Sequence, residues 1–525
     1  MYNYLFNDDE IEFSDWKIER LQQIKNIKEI IFETIELISK FEDELRAMWL
    51  KPKFVRDLNY IITLDKIDSS LHDEILNIQE QINEWNELEL IQGNNLIQNE
   101  YLPVDTKYLS DELKYKILGS FDNIDEVTDG VLIKSDNFQA LNTILPKYKE
   151  LIDLIYIDPP FNTGSDFAYK DRFQDSTWLT LMENRLTLSK DLLSDKGSFY
   201  LHLDHNADYL GRELLNSIYG EENFQREIIW SKGNVSGGKA GANNWILSHD
   251  LIFYFVKNNN AKLFNKQYSM YSDEYIKERF IPDDNGELYR LQGNNRKQYL
   301  KDSKGMAISS VWDIKDVNVM AIERENFQTQ KPEKLLERII KASSNENSFV
   351  MDFFSGSGTT INTAHKLGRK WIGIEMGEHF DTVNIPRIKK TLAGVMSKLS
   401  KELEKESNLK KGGIVKYYSL ETYEDVLSKA EYSLGSDSLI DPYKSEKLAT
   451  DKVVNKNDEN VKLNINEIYN DIDIFETISN VTGFKIKKLY EDRCVFLDGD
   501  KEVEIKKDEL LFSEYPFLRK LIWWK

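Results

Sequence analysis

Cysteine is almost missing from this 525-residue chain, with Cys494 standing alone. A single thiol excludes an intramolecular disulfide framework and a thiolate-bound metal cluster, and it fits a reducing, cytoplasmic setting. Long apolar runs are missing too: none approaches the ~18–20 residues needed to cross a bilayer. The first ten residues, Met1 to Glu10, contain no Lys or Arg, so no signal peptide and no membrane attachment are expected. Positive charge is in short supply, with 69 Lys+Arg against 90 Asp+Glu and a net charge of −21. Averaged over the chain, that balance points away from nucleic acid. What is present is enough to fold: 41% hydrophobic and 12% aromatic residues argue against a disordered chain. At ~150 residues per domain the length corresponds to about three domains.

The charge is unevenly spread. Residues 1–230 carry −22, residues 231–400 carry +6 and residues 401–525 carry −5. Local field, not net charge, decides where a polyanion docks, so the central segment is the place to look for one.

Residues 15 to about 50 place Ile18, Leu21, Ile24, Ile27, Ile31, Ile35, Ile38 and Leu45 at mostly three- and four-residue spacings, the stripe of a helix. Residues 54–67 and 70–90 read as further helix, giving an N-terminal helical region over 1–100. The stripe is expected to be internal packing, with a coiled-coil surface as the alternative. From about 130 short apolar strands alternate with helices: Val131–Ile133, Leu151–Ile157, Ser198–Leu203, Leu251–Val256, Phe349–Phe354 and Trp371–Glu375. Such alternation predicts an α/β, doubly wound, mostly parallel sheet, whose ligands bind outside the carboxyl ends of the strands. Residues 257–325 break the alternation and read as an insert. A hairpin is expected over Cys494–Ile505, around Asp498-Gly499-Asp500.

Two turns at strand ends carry chemistry. Asp352-Phe353-Phe354-Ser355-Gly356-Ser357-Gly358-Thr359 joins a strand to a helix, where glycines permit close backbone approach and helix amides face a ligand. Glu375 ends the next strand, where a carboxylate can hold ribose hydroxyls. A third glycine at 361, needed for a dinucleotide fingerprint, is replaced by Ile361, so a nucleoside without phosphates is favoured over a pyrophosphate. The second turn is Asp158-Pro159-Pro160-Phe161. Its prolines present carbonyls rigidly, Asp158 adds an acceptor and Phe161 a stacking face, a set suited to the exocyclic amine of a flat base. His202 and Asp204 share a strand face, but no third ligand lies nearby in the sequence and no metal is expected.

Asp158-Pro-Pro-Phe161 resembles the catalytic motif of the amino-group DNA methyltransferases. Asp352-x-Phe354-x-Gly356-Ser357-Gly358-Thr359 resembles their S-adenosylmethionine motif, with Phe353 where a proline is usual. The catalytic motif comes first, the order of the permuted β class. Thr329-Gln330-Lys331-Pro332 resembles the segment flanking the methionine end of the cofactor. Gly197–Asp204, Asn243-Asn244-Trp245 and Ser248-His249-Asp250 match further family segments. The stretch 103–172 is similar to modification subunits of type III restriction–modification systems.

The resemblance implies a circularly permuted Rossmann-like methyltransferase sheet divided into a catalytic half (101–256), a target-recognition insert (257–325), a cofactor half (326–398) and a C-terminal α/β domain (399–525). It implies S-adenosylmethionine as cofactor and N6-adenine methylation of a flipped base in double-stranded DNA, with N4-cytosine as the runner-up. Cytosine-C5 chemistry is excluded, because Cys494 follows Arg493 rather than a proline. The strand that should follow Glu375 is absent locally, so Val131–Lys134 is expected to fill its place. Asp136 would then meet the cofactor's adenine, Asp352 its methionine amine, and the amides of 356–358 its carboxylate. Lys232, Lys239, Asn244, Arg290, Arg296 and Lys297 are the expected DNA contacts. A homodimer, and a type III-like helicase–nuclease subunit as partner, are expected from the family alone. If so, the chain would act instead, or also, as a specificity subunit.

Overall fold

The computed structural model describes residues 16–91, 99–164, 170–233, 243–317, 324, 325, 327, 329–395, 397–405, 408–432, 440, 441, 471–507, 509–511 and 514–522. The chain enters as helix α1 (Trp16–Leu50) and passes into strand β1 (Val55–Thr63). The helical reading of 54–67 is therefore corrected. Apolar spacing alone does not separate a helix from a strand buried on both faces. Here Ile61 packs on one face of the sheet while Tyr60 and Ile62 pack on the other. Residues 70–90 do hold helices, though short ones: His72–Ile75 and Gln79–Glu87. Along α1, Ile24, Ile27, Ile31, Ile35 and Ile38 are 42–55% exposed, and the expectation of internal packing is corrected for them.

The chain continues through β2 (Gly130–Lys134), α2 (Asn137–Tyr148), β3 (Ile152–Ile157), α3 (Asp175–Leu192), β4 (Leu193–Leu203), β5 (Phe224–Ser231) and β6 (His249–Val256). The insert contributes β7 (Leu288–Gln292), β8 (Arg296–Tyr299) and β9 (Val311–Asp313). Then come α4 (Glu333–Ser343), β10 (Phe349–Asp352), α5 (Thr359–Lys366), β11 (Lys370–Glu375), α6 (Ile385–Leu392), β12 (Ile414–Leu420), α7 (Tyr423–Ser428) and α8 (Ile474–Thr482). The main sheet runs β9-β5-β6-β4-β3-β10-β11-β2-β12-β1, edged by Ile472–Asp473, with Pro103–Asp105 also paired to β1.

From β4 to β12 all neighbours are parallel. Parallel strands need both faces covered, and they are. Val131, Ile133, Ile155 and Met351 face one core; Leu132, Leu154, Val350 and Trp371 face the other. The doubly wound sheet is thus as expected, and β2 does lie beside β11, in register from Trp371↔Gly130 to Glu375↔Lys134. The C-terminal hairpin pairs Arg493–Asp498 with Lys501–Lys506. No helix among the described residues is long and apolar enough to cross a membrane.

The C-terminal segment is sewn to the sheet by buried charge. Lys416 Nζ lies 2.8 Å from both Asp125 and Glu476, and Lys147 Nζ lies 2.9 Å from Asp125 and 3.1 Å from Glu476. Removing one member of a buried ion cluster leaves the others uncompensated, at about 3–5 kcal/mol. Glu476→Gln should accordingly lower the free energy of urea unfolding by that order; a change under about 1 kcal/mol would show that the cluster is not structural.

Candidate active site

Four carboxylates end four adjacent parallel strands: Asp158 one residue beyond β3, Asp352 on β10, Glu375 on β11 and Asp136 two residues beyond β2. All four line one open cleft, together with Pro160, Lys331, Phe354, Ser355, Gly356, Ser357 and Thr359. The two motifs, about 200 residues apart in sequence, meet because β3 and β10 pair directly, Leu154 with Val350 and Ile155 with Met351.

The glycine turn is built from its own polar groups. Gly356 (φ +50°) and Gly358 (φ +75°) adopt left-handed conformations, and a Cβ on Gly358 would sit 2.5 Å from Asn384 Oδ1. Two of the three amides expected to hold a carboxylate are already engaged: Gly356 N–H donates to Glu375 Oε2 at 2.8 Å and Gly358 N–H to the Ser355 carbonyl at 2.7 Å. Glu375 also accepts from Met376 and Gly377 N–H and faces His379 at 3.0 Å. Burial alone would raise its pKa, but His379 and these amides outweigh that and hold it below the usual carboxylate range.

Asp352 differs. It accepts from Phe354 N–H at 3.0 Å and the Thr360 hydroxyl at 2.5 Å. Burial pushes its pKa up to about 7 against those two bonds, and Asp158 and Glu375 push the same way. No cation is paired with it among the described residues. A buried acid lined up with two donors and lacking a counter-charge fits a cationic ligand group.

Asp136 caps α2, accepting from Gln139 N–H at 3.2 Å, and its other oxygen takes Arg185 at 2.8 Å. Arg185 also binds Asn137, whose amide reaches the Phe353 carbonyl at 2.8 Å. This brace between α2, α3 and the cofactor-type turn has no local sequence signal, since its members lie 48 and 216 residues apart.

The Asp158 turn is held from outside. Trp178 Nε1 donates to the Pro160 carbonyl at 2.8 Å, so that carbonyl is spent and the expectation of freely presented carbonyls is narrowed accordingly. Buried Asp171 accepts from Asn162 N–H at 2.7 Å and Thr163 N–H at 3.1 Å, fixing the chain just after Phe161. Lys331, expected near the methionine end of a cofactor, turns its ammonium onto Asp158 Oδ2 and lies 5.2 Å from the centre of the Phe161 ring. The cause is local. Pro332 caps α4, which sets Lys331 opposite the end of β3, while Gln330 is taken up by Glu325 N–H.

Asp158 Oδ1 is buried with no hydrogen-bond partner among the described residues and lies 3.7 Å from His202 Nδ1. Fully buried His202 bridges the Tyr156 hydroxyl (2.7 Å) and Asp250 (3.1 Å). Asp250 in turn pairs with Lys232 at 2.7 Å. Sequence reasoning named His202 only as a metal candidate and did not anticipate this chain of contacts. Among the described residues no His, Cys, Asp and Glu cluster has the makings of a metal site.

The expected DNA contacts fall into two groups. Arg296 and Lys297 are exposed on β8, with Lys297 Nζ 4.3 Å from the Tyr289 ring centre. Asn244 is exposed beside Trp245, which is 97% exposed. Arg290, by contrast, is tied to Gln298 and Tyr275 inside the insert, and Lys232 is tied to Asp250. Lys239 lies outside the described residues.

The profile of the N6/N4 methyltransferase family, described as DNA methylase, matches residues 152–384. The chain is 25% identical over 414 residues to the probable type III restriction–modification enzyme HindVI Mod subunit of Haemophilus influenzae, covering 57% of this chain and 54% of that one. It is 29% identical over 328 residues to type II methyltransferase M.EcaI of Enterobacter cloacae (52% and 71%). It is 30% identical over 281 residues to DNA adenine methyltransferase YhdJ of Escherichia coli (50% and 88%). The chain spans about half the length of the Mod subunits it matches. With its sheet order, its Asp158 and Asp352 turns on adjacent strands and these likenesses, the chain belongs to the N6/N4 DNA methylase family.

Proposed function

We propose that this chain transfers a methyl group from S-adenosylmethionine to the N6 amine of an adenine flipped out of duplex DNA. The observation that carries the reading is the placement of Asp158 and Asp352 on one cleft, from directly paired strands. When bound, the cofactor supplies an electrophilic methyl on a sulfonium. Asp352 is the group for its cationic amine, Glu375 for its ribose and Asp136 for its adenine. Ser355, Phe354 and Thr359 shape the wall between them. Phe161 stacks on the extruded base, at an unstacking cost of a few kcal/mol. Asp158 and the Pro159 carbonyl accept the amine hydrogens, which turns nitrogen lone-pair density toward the methyl group, and proximity supplies much of the remaining rate. Lys331 must yield Asp158 when the amine arrives.

Adenine is favoured over cytosine because YhdJ, matched over most of its length, is named an adenine methyltransferase. The test is transfer of labelled methyl by the purified chain, followed by nucleoside mass spectrometry. N6-methyladenine supports the proposal, N4-methylcytosine replaces it, and cofactor binding without any DNA product favours a specificity-subunit role. Asp136→Ala should raise the cofactor KM several-fold with kcat little changed; an unchanged KM would remove Asp136 from the site.

DNA docks on the insert, where Arg296 and Lys297 stand exposed. Each phosphate that a basic side chain neutralises steepens the fall of log K with log salt by about 0.9. Arg296→Ala/Lys297→Ala should thus weaken binding across sequences and flatten the salt dependence; intact affinity at every salt concentration would exclude this face. The Mod-subunit likeness supports a restriction subunit as partner and a cytoplasmic setting.

A further inference from the structure

His202 lies beside the reacting carboxylate, and methyl transfer as described leaves it without a role. It is fully buried near the end of β4, its ring centre 5.3 Å from that of Trp230 and 5.7 Å from that of Phe161. Among the described residues, the titratable groups facing it come from neighbouring strands. Tyr156 is on β3, Asp158 just past it and Asp250 on β6, with Lys331 and Lys232 behind the two carboxylates. Asp204, beyond the end of β4 itself, turns to Asn206 instead. These partners fix the protons of the ring. Burial pushes the Asp250 carboxyl up, but His202 and Lys232 outweigh that and hold it well below the usual carboxylate range. Asp250 is thus ionised and takes the Nε2 proton at 3.1 Å. A neutral ring bound in this way keeps its lone pair at Nδ1, where the Tyr156 hydroxyl donates at 2.7 Å. A protonated Nδ1 would be drawn onto Asp158 Oδ1. That buried oxygen instead stands 3.7 Å away with no hydrogen-bond partner among the described residues. His202 is therefore a proton acceptor facing the carboxylate that receives the amine.

The reaction produces a proton for such an acceptor. The amine nitrogen bonds to the methyl carbon, whose bond to sulfur breaks with both electrons left on sulfur. The nitrogen, now cationic, must lose one proton and keep the electron pair of that N–H bond. We propose that this proton passes by way of Asp158 to Nδ1 of His202. Lys331 yields Oδ2 to the amine, and Oδ1 is the oxygen turned toward Nδ1. The protonated carboxyl, no longer paired with a cation, turns about its Cβ–Cγ bond and delivers the proton to the ring. The positive charge that begins on sulfur thus ends on an imidazolium held at Nε2 by Asp250, as a buried acid holds the base histidine of a hydrolase. Asp158 is a carboxylate again within the same turnover. His202 acts through Asp158 rather than on the adenine. The inference rests on the methyl-transfer reading.

Nitrogen–proton correlation spectra of the full chain, labelled in its histidine rings and without cofactor or DNA, test the resting state. His202→Gln, which keeps an Nε2 donor for Asp250, assigns the signal. His202 should show the Nε2–H tautomer; a proton on Nδ1 would overturn the proposal. Single-turnover rates on duplex DNA, with cofactor saturating so that its binding does not enter, test the transfer. The wild-type rate should fall toward acid, because a protonated His202 takes no second proton, and should show a solvent deuterium isotope effect. His202→Gln should be slower by about 10²-fold, lose both the acid fall and the isotope effect, and keep wild-type cofactor affinity. A variant that retains both signatures, or is as fast as wild type, would overturn the inference and leave methyl transfer standing. Cofactor binding lost in step with rate would mark a purely structural ring and overturn it too. A wild type that methylates no DNA would overturn the reading beneath it.

Discussion

Asp158→Ala lowers the single-turnover rate of methyl transfer by about 10²- to 10³-fold while leaving cofactor affinity within a few-fold. The size follows from removing one preorganised acceptor aimed at developing charge. The preorganisation is visible. Pro159 and Pro160 fix the backbone, Trp178 holds the Pro160 carbonyl, and Asp171 clamps the following amides, so the backbone that carries the carboxylate is already set when a base arrives and Lys331 is the group that has to move. Asp158→Asn keeps the shape and one acceptor but loses the charge and its grip on Lys331, and should fall between wild type and alanine. Rapid-quench assays with labelled cofactor, beside calorimetric binding, separate the two effects. A rate within threefold of wild type for the alanine variant would remove Asp158 from the chemistry. A fall in cofactor affinity that parallels the fall in rate would mean that the turn as a whole had moved.

The residues legible beforehand share one property: each sits at the carboxyl end of a parallel strand, where glycine, proline and aspartate have few structural reasons to coincide. Asp158, Asp352 and Glu375 are picked out that way and the doubly wound sheet follows from the alternation of strands and helices, whereas Asp136 and the place of β2 beside β11 come only from what the family resemblance implies. What escaped reading lies at long range. Arg185 reaches Asp136 across 49 residues and His202 reaches Asp250 across 48, and nothing local marks either pair. Strand β1 escaped because Tyr60-Ile61-Ile62 is apolar on both faces and has no period to betray it. The α1 stripe was legible, but its exposure was not: apolar spacing tells which residues share a face, never what covers it.

Cofactor affinity should fall about tenfold per pH unit below about pH 7, and Asp352→Asn should abolish that dependence along with most of the binding. Burial holds the Asp352 carboxyl near pKa 7, so below that it is protonated and neutral; a cationic amine pairs only with the ionised form. Binding at pH 6 must therefore expel a proton, measurable as a buffer-dependent heat in calorimetry. The same shift acts on folding with the opposite preference. The folded state binds this proton more tightly than the unfolded chain, so the uncharged site carries no penalty below about pH 4. The cost grows as pH rises and is complete once pH passes the folded-state value near 7. A rise from 3.8 to about 7 corresponds to about 4 kcal/mol as an upper bound. In the absence of cofactor, Asp352→Asn should accordingly raise Tm over wild type at pH 8 and lose that advantage at pH 4. A variant that gains stability at pH 8 while losing binding identifies Asp352 as a buried charge kept for a cationic ligand. If the variant is less stable than wild type at pH 8, the carboxylate is a structural anchor and its assignment to the cofactor fails.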